Sequence, residues 1–464
     1  MTTIKLGWGS LEVKDPPDFL ADKLRIFRRA VDGRGRYQEL SWMSDGTLVT
    51  LPGFAKRVLS MCDGRVFDKR RPLPEPDMDA ALDGLRDYQV PVVKDLIAAR
   101  GGVASLPMAF GKTHVIAAVI KAFPHEEMVV RDTPLVVVVE PSVELVTQTY
   151  DKLGAIIPGR TVGKLTGRST VETDDILVTT YESLKNVDLD SIGILIADEV
   201  HCSASKVRAD LISRVRNAAR WGMSATPTGR FDGADLLVEG MFGPIAARRT
   251  YDDMVKDGIL APIEVIWLPA PKPAFISEGS YPDLVASVTR KNAAFVEMVA
   301  KLLERIPDDM KTICFTEHVK LMAEIAKIAP DIPYVHGESS NVLKLTKADR
   351  DQRRKQLESG EIKKILSSYV WKEGVDIPDL SVVISTSCGG SEIAASQIPG
   401  RLARLTEGKA KGWLIDFGHR WDMARNGHPG RLLLNDRARM NRYRELQFDQ
   451  TFVNSIDEVP FIRG

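Results

Sequence analysis

Residues 192–201 read Ile192-Gly193-Ile194-Leu195-Ile196-Ala197-Asp198-Glu199-Val200-His201. An apolar run with no polar alternation is what a parallel strand buried on both faces requires. Two adjacent carboxylates at the end of such a strand are costly to place, and such a pair is usually kept for metal and water chemistry. Upstream, Gly111-Lys112-Thr113 follows another short strand. Downstream, Gln397, Arg401 and Arg404 recur at helical spacing and share one face. A phosphate loop, an acidic pair and an arginine pair, in that order, predict a motor that hydrolyses a nucleoside triphosphate.

Working outward, strands and helices alternate from Leu85 to about Arg249. Leu135–Val139 and Ile194–Ala197 read as buried strands, and Val143–Leu153 and Ser205–Ala219 have helical spacing. This alternation predicts an α/β class with a doubly wound parallel sheet. A helix over Tyr251–Leu260, a strand over Ile263–Leu268 and a Pro-rich stretch at 269–273 lead into a second α/β domain. Its strands are expected at 312–316, 364–368, 381–385 and 412–416, with an arginine-rich terminal helix over 431–449. The first 75 residues differ. Tyr37–Trp42 and Thr47–Leu51 read as two strands around a Gly46 turn, Ala55–Met61 as a short helix, and Pro72, Pro74 and Pro76 as an extended linker. The expected domains are a small N-terminal α+β module at 1–76, a first motor domain at 77–250 and a second at 251–464.

The 464 residues carry 63 basic and 63 acidic side chains, so net charge neither favours nor excludes a nucleic-acid partner. Residues 1–71 and 401–449 each hold about five more basic than acidic side chains, which marks local anion-binding faces. The four cysteines, Cys62, Cys202, Cys314 and Cys388, form no CxxC pair, which argues against a zinc site and for a reducing, cytoplasmic setting. No apolar run approaches ~18 residues, so no membrane span is expected.

The chemistry assigns roles. In a phosphate loop, backbone N–H groups and a helix N-terminus face the phosphates. Lys112 would neutralise β/γ oxygens and Thr113 would bind Mg²⁺. The usual loop has Gly where this chain has Leu106. Asp198 would hold Mg²⁺ through water, Glu199 would orient or deprotonate the attacking water, and Ser224 and Thr226 would hydrogen-bond the acidic pair. His201 would couple the nucleotide site to the second domain. Gln397, Arg401 and Arg404 would bring positive charge to the γ-phosphate.

The constellation over roughly 85–430 resembles the superfamily 2 helicases of the DExH type, which have two RecA-like domains in tandem. The segments Leu85–Gln89, Glu140–Leu145, Val178–Leu184, Tyr334–Gly337 and Ser367–Pro378 stand in the family's order. Within the superfamily, the module around Gly46–Gly53 and the stretches 241–245 and 255–262 resemble phage UvsW-like branched-DNA helicases and their XPB-like relatives. The resemblance implies ATP and Mg²⁺ as cofactors. It implies Arg86 and Gln89 at the base, Ala109, Phe110, Gly111, Lys112, Thr113 and His114 around the phosphates, and Gly374 and Asp376 linking the two sites. It implies Ser142, Thr180, Thr316 and Ser368 on the nucleic-acid backbone. Trp371 is large for its place, as core packing or as a surface for a base.

The expected function is an ATP-dependent DNA helicase or translocase, possible as a monomer, that remodels forks, displacement loops or four-way junctions. The basic N-terminal module and the arginine-rich tail would add DNA contacts. The alternatives are an RNA helicase, a duplex-DNA translocase without strand separation, and a non-catalytic ATP-sensing module.

Overall fold

The computed structural model describes residues 2–462, except 30–34, 125–134, 168, 171–174, 226–232, 338–341, 369–376, 378, 391–401, 407–408 and 424–429. The chain divides into two compact units, Met1–Thr250 and Tyr251–Gly464.

In the first unit the strands β1 (Thr3–Leu6), β2 (Leu11–Lys14), β5 (Ser41–Ser44), β6 (Thr47–Thr50) and β7 (Arg65–Asp68) form a sheet of order β5-β6-β2-β1-β7. A separate hairpin pairs β3 (Arg25–Arg29) with β4 (Gly35–Glu39). The run 37–42, expected as one strand, is thus divided between two sheets at Leu40, whose buried side chain turns into the core. Asp45 and Gly46 both have positive φ, 47° and 73°, the geometry of a tight hairpin turn that suits Asp-Gly. The helix Ala55–Met61 forms where expected.

Eight strands follow: β8 (Gly102–Ser105), β9 (Leu135–Glu140), β10 (Val162–Thr166), β11 (Ser169–Thr170), β12 (Ile176–Thr180), β13 (Ile192–Ala197), β14 (Ala219–Ser224) and β15 (Ile245–Arg248). They form one sheet of order β11-β10-β12-β9-β13-β14-β8-β15, parallel except at the edge strand β11. Val136–Val139 and Ile194–Ala197 are completely buried, which explains their unbroken apolar sequence. The helix expected over 205–219 spans only Lys206–Ser213. Val215 and Ala218 keep the helical spacing but pack into the core as the chain turns into β14.

The second unit holds β16 (Ile263–Pro269), β17 (Thr312–Thr316), β18 (Tyr334–Val335), β19 (Lys364–Ser368), β20 (Val382–Ser385), β21 (Gly412–Gly418) and β22 (Asp449–Phe452), all parallel in the order β18-β19-β17-β20-β21-β16-β22. The architecture is the expected one: two doubly wound parallel sheets in tandem with a small N-terminal α+β region. The helix over 251–260 ends at Lys256, because Gly258 (φ 68°) reverses the chain and the Ile259 and Leu260 amides both donate to the Met254 carbonyl. Among the described residues no helix is long and apolar enough to cross a membrane.

The arginine-rich tail needs a correction. Its helix covers Arg431–Glu445, after which the chain enters β22 as an edge strand of the sheet. Several of its charges serve the core. Arg439 is buried and donates to Asp416 Oδ2 and Asp436 Oδ1, both at 3.0 Å, and to the Gly389 carbonyl at 2.8 Å. Tyr443 Oη donates to Asp416 Oδ2 at 2.9 Å.

The N-terminal region packs on the helix Asp235–Phe242 through the turn Pro52–Phe54 and the helix Ala55–Met61. Arg57 makes a two-pronged ion pair with Glu239, at 2.7 and 2.5 Å. Gly53 lies so close that a Cβ there would stand 2.1 Å from the Glu239 carbonyl oxygen and 2.5 Å from the Gly243 nitrogen.

Two outcomes follow. Gly53→Ala must push the module from that helix, lowering stability by about 1–3 kcal/mol in urea unfolding. Arg439→Ala leaves two buried carboxylates without their cation and lowers the stability of the second unit by about 3–5 kcal/mol, whereas Arg437→Ala has little effect.

Candidate nucleotide site

The C-terminal ends of β8, β9, β13 and β14 lie along one edge of the first sheet, the edge where open α/β sheets bind ligands. β8 leads into the loop 106–111 and then the helix Lys112–Ala122. Gly111 caps that helix with φ 90°, and a Cβ there would stand 2.6 Å from Gln89 Nε2. Its glycine is therefore required by both backbone and space. Ala109 also has positive φ, 62°, a strained choice for a residue with a Cβ. Phe110 is fully buried and meets Tyr88 edge to face at 5.2 Å. It anchors the loop where glycine is scarce.

Gln89 ties this loop to the segment before it. Its Nε2 donates to the Phe110 carbonyl at 2.9 Å and its Oε1 accepts from the Arg86 amide at 3.0 Å. Gln89 is 2% exposed, so the base contact expected of it would need its second amide N–H or an exchange of these bonds. Arg86 Nη1 donates to Tyr88 Oη. His114 is exposed on the first turn, and partial burial with the nearby Arg86 and Lys152 charges lowers its pKa. Thr113 begins the same helix and is half-buried.

Lys112 lies between the acidic pair. Its Nζ pairs with Glu199 Oε1 and stands 3.6 Å from Asp198 Oδ1. Burial disfavours the ammonium, but the two carboxylates outweigh it and raise the lysine pKa. Burial also disfavours the Glu199 carboxylate, yet Lys112 and then His201 hold it below its ordinary range. Burial pushes Asp198 up, with Lys112 opposing and Glu199 adding to the rise. Glu199 has φ 44°, a left-handed conformation that a non-glycine residue seldom adopts, and its amide donates to Asp198 Oδ1 at 2.9 Å. The turn points both carboxylates at one lysine.

Ser224, at the end of β14, donates to Glu199 Oε2 at 3.3 Å and sits 2.8 Å from His201 Nδ1. Because the serine proton goes to the carboxylate, His201 must donate through Nδ1. His201 thus engages Glu199 and Ser224 inside the first unit. Thr226 lies outside the described residues, as do Gln397, Arg401, Gly374, Asp376 and Trp371. Arg404 is described and bridges its backbone to Leu260 in the second unit.

The positions expected on nucleic acid fall at strand ends. Ser142 follows β9 and caps the helix Val143–Ile156 by accepting from the Leu145 amide. Thr180 ends β12, and its hydroxyl donates to Ser183 Oγ while accepting from the Ser183 amide. Thr316 and Ser368 are register partners at the ends of β17 and β19, and both are buried. The Ser142 and Thr180 hydroxyls brace local structure, whereas the buried Thr316 Oγ1 makes no hydrogen bond.

Sequence reasoning gave no role to Glu140. Its side chain is fully buried, with Oε1 accepting from Thr149 Oγ1 at 2.6 Å and Oε2 without a hydrogen bond. Burial and the Asp198 charge push its pKa well above the carboxylate range, against Thr149 and Lys112. A polar residue closing the run Val136–Val139 was the available signal. A second cluster, Cys388 Sγ 3.9 Å from His419 Nε2 with His419 Nδ1 3.1 Å from Asp436, resembles a nucleophile arrangement. Burial pushes that thiol up and leaves it inert.

Glu140 makes stability depend on pH. A carboxyl whose folded pKa is raised binds its proton more tightly when folded, so stability falls as pH rises from the unfolded pKa through the folded one. Glu140→Gln is therefore expected to flatten this decline without nucleotide or Mg²⁺. Thermal melts at pH 5 and pH 8 should show the variant gaining on the wild type at the higher pH.

Comparison with known proteins agrees with this geometry. The family "Type III restriction enzyme, res subunit" matches residues 83–229, and "Helicase conserved C-terminal domain" matches 294–406. The protein named helicase 22 of Sulfolobus islandicus filamentous virus is 26% identical over 259 residues, covering 52% of this chain and 45% of its own length. The DNA 3'-5' translocase XPB2 of Sulfurisphaera tokodaii is 25% identical over 390 residues, covering 73% and 82%. This chain thus spans less than half of the viral relative. The type ISP restriction-modification enzyme LlaBIII bound to DNA shares the fold at TM-score 0.59 and 16% identity, over 80% of this chain and 31% of that one. T4 UvsW aligns over 98% of this chain and 99% of its own at 18% identity and TM-score 0.40. These two families match in order along one chain, and a lysine is set between two carboxylates in the first, so the chain is similar to the superfamily 2 helicases.

Proposed function

We propose that the chain is an ATP-dependent DNA helicase or translocase that remodels branched DNA such as forks, displacement loops and four-way junctions. Residues 1–76 serve as an accessory DNA-binding module, and 77–250 and 251–464 as the motor halves. The observation that carries the ATPase reading is Lys112 held by both Asp198 and Glu199 at the loop end of a buried parallel sheet.

The residues present fit Mg²⁺ and a nucleoside triphosphate. Gly111 caps the N-terminus of the helix Lys112–Ala122, and one lysine on its first turn faces three acidic side chains. Mg²⁺ keeps most of its waters and needs only one or two protein ligands. Asp198 and Thr113 would hold it, and it would supply charge neutralisation at the β and γ oxygens. Phosphate oxygens compete for the Lys112 ammonium. When they take it, Glu199 Oε1 loses its cation and becomes a better proton acceptor, while Ser224 still steadies Oε2. Substrate binding would in this way arm the base. Gln397, Arg401 and Arg404 would supply the cationic charge that phosphoryl transfer needs.

DNA as the polymer is supported by the archaeal relative named as a DNA translocase. Glu199→Gln should keep nucleotide affinity while ATP turnover falls by about 10²–10⁴-fold, and Lys112→Ala should lose nucleotide affinity. Steady-state ATPase assays with forks, junctions, blunt duplex and RNA duplex would measure this. Full activity in both variants would sink the ATPase reading, and stimulation by RNA alone would move the substrate away from DNA.

A further inference from the structure

The N-terminal sheet has one face in the core and one left open. Ile4, Leu11, Val13 and Leu48 point inward and are buried. Their neighbours on the opposite face form a continuous cross-strand row, Trp42–Val49–Glu12–Lys5–Phe67. The next row on that face runs Ser44–Thr47–Lys14–Thr3–Arg65. Every residue in both rows is half-buried or exposed, and Trp42 is 58% exposed.

This composition is unusual for a solvated sheet face. Trp42 stands on one edge strand and Phe67 on the other, four strand spacings or about 19 Å apart. Between and beside them lie Lys5, Lys14 and Arg65, against one acid, Glu12, which Lys5 already approaches at 3.6 Å. The Arg65 guanidinium lies over the Phe67 ring at 4.9 Å, a flat cation and a flat ring presented together. Exposed aromatic surface costs solvation, and a bare tryptophan among cations suits a partner that is both anionic and planar.

From this we infer that the open face of the N-terminal sheet is a binding platform for the single-stranded arm of a DNA branch. Trp42 and Phe67 stack on unpaired bases, and Lys5, Lys14 and Arg65 line the phosphate path. Paired duplex hides its base faces and offers only phosphates, so the two rings select the unpaired strand. The inference rests on the DNA-motor reading above and adds to it a polymer form and a surface distinct from the nucleotide site.

The test uses the full-length chain with a non-hydrolysable ATP analogue. Fluorescence anisotropy would compare a fork bearing one single-stranded arm with a blunt duplex. The double variant Trp42→Ala/Phe67→Ala should bind the fork about tenfold more weakly or worse, with little change on blunt duplex. Trp42→Phe should restore most of the loss. Lys14→Glu should weaken both and reduce the salt dependence of binding. Thermal melts and labelled-nucleotide binding should remain at wild-type values, because these side chains lie on the open face. Unchanged fork affinity in the double variant, or equal loss on fork and duplex, overturns the platform while leaving the motor intact. A wild-type protein that binds no DNA overturns the reading on which the platform rests.

Discussion

One ammonium among three acidic side chains governs the first motor fold. Glu140, Asp198 and Glu199 all act on Lys112, and His201 adds a weaker pull on Glu199 alone. Such a cluster is held by the sheet around it: four neighbouring strands, buried along almost their whole length, end at the same edge. Carboxyls so placed repel one another and suffer from lost solvent, and two of them, Glu140 and Asp198, answer with raised pKa values. An arriving dication and a polyphosphate change every term. The cluster is an electrostatic compromise that nucleotide binding, as proposed, would relieve.

The backbone carries part of the same compromise. Glu199 and Ala109 adopt left-handed conformations without being glycine, and both lie at the edge where the nucleotide is proposed to bind. Strain of this kind persists where surrounding contacts over-determine the geometry. Here those contacts are the Ser224 hydroxyl on Glu199 and the buried Phe110 ring beside Ala109.

Much of this was legible in the chain. Apolar runs ending in charge located β9 and β13, because a strand buried on both faces has no room for alternation. The lysine, the acidic pair and Ser224 were readable because each follows such a run. Glu140 was not singled out, since one acid after four valines gives no hint of which neighbour it will face. The two-residue β18 and the polar edge strand β22 were not legible as strands either, because periodicity needs length and an apolar face to show. Arg439 looked like a surface charge in an arginine-rich helix. Only the pairing of β21 with its neighbours, far away in sequence, brings Asp416 beneath it. The open face of the N-terminal sheet was hidden for the same reason: each of its strands contributes one residue to each row, and the rows exist only after pairing.

The Pro-rich stretch after the N-terminal module reads as a tether, yet it is fastened along its length. Trp8 Nε1 donates to the Arg71 carbonyl, Arg100 reaches the Leu73 carbonyl and Glu75, and the Asp77 amide donates to the Ala122 carbonyl at the end of the phosphate-loop helix. With Gly53 wedged against the helix Asp235–Phe242, the module has no slack. Fastened at these points, the module would travel with the sheet of the first unit as one body rather than swing on a tether.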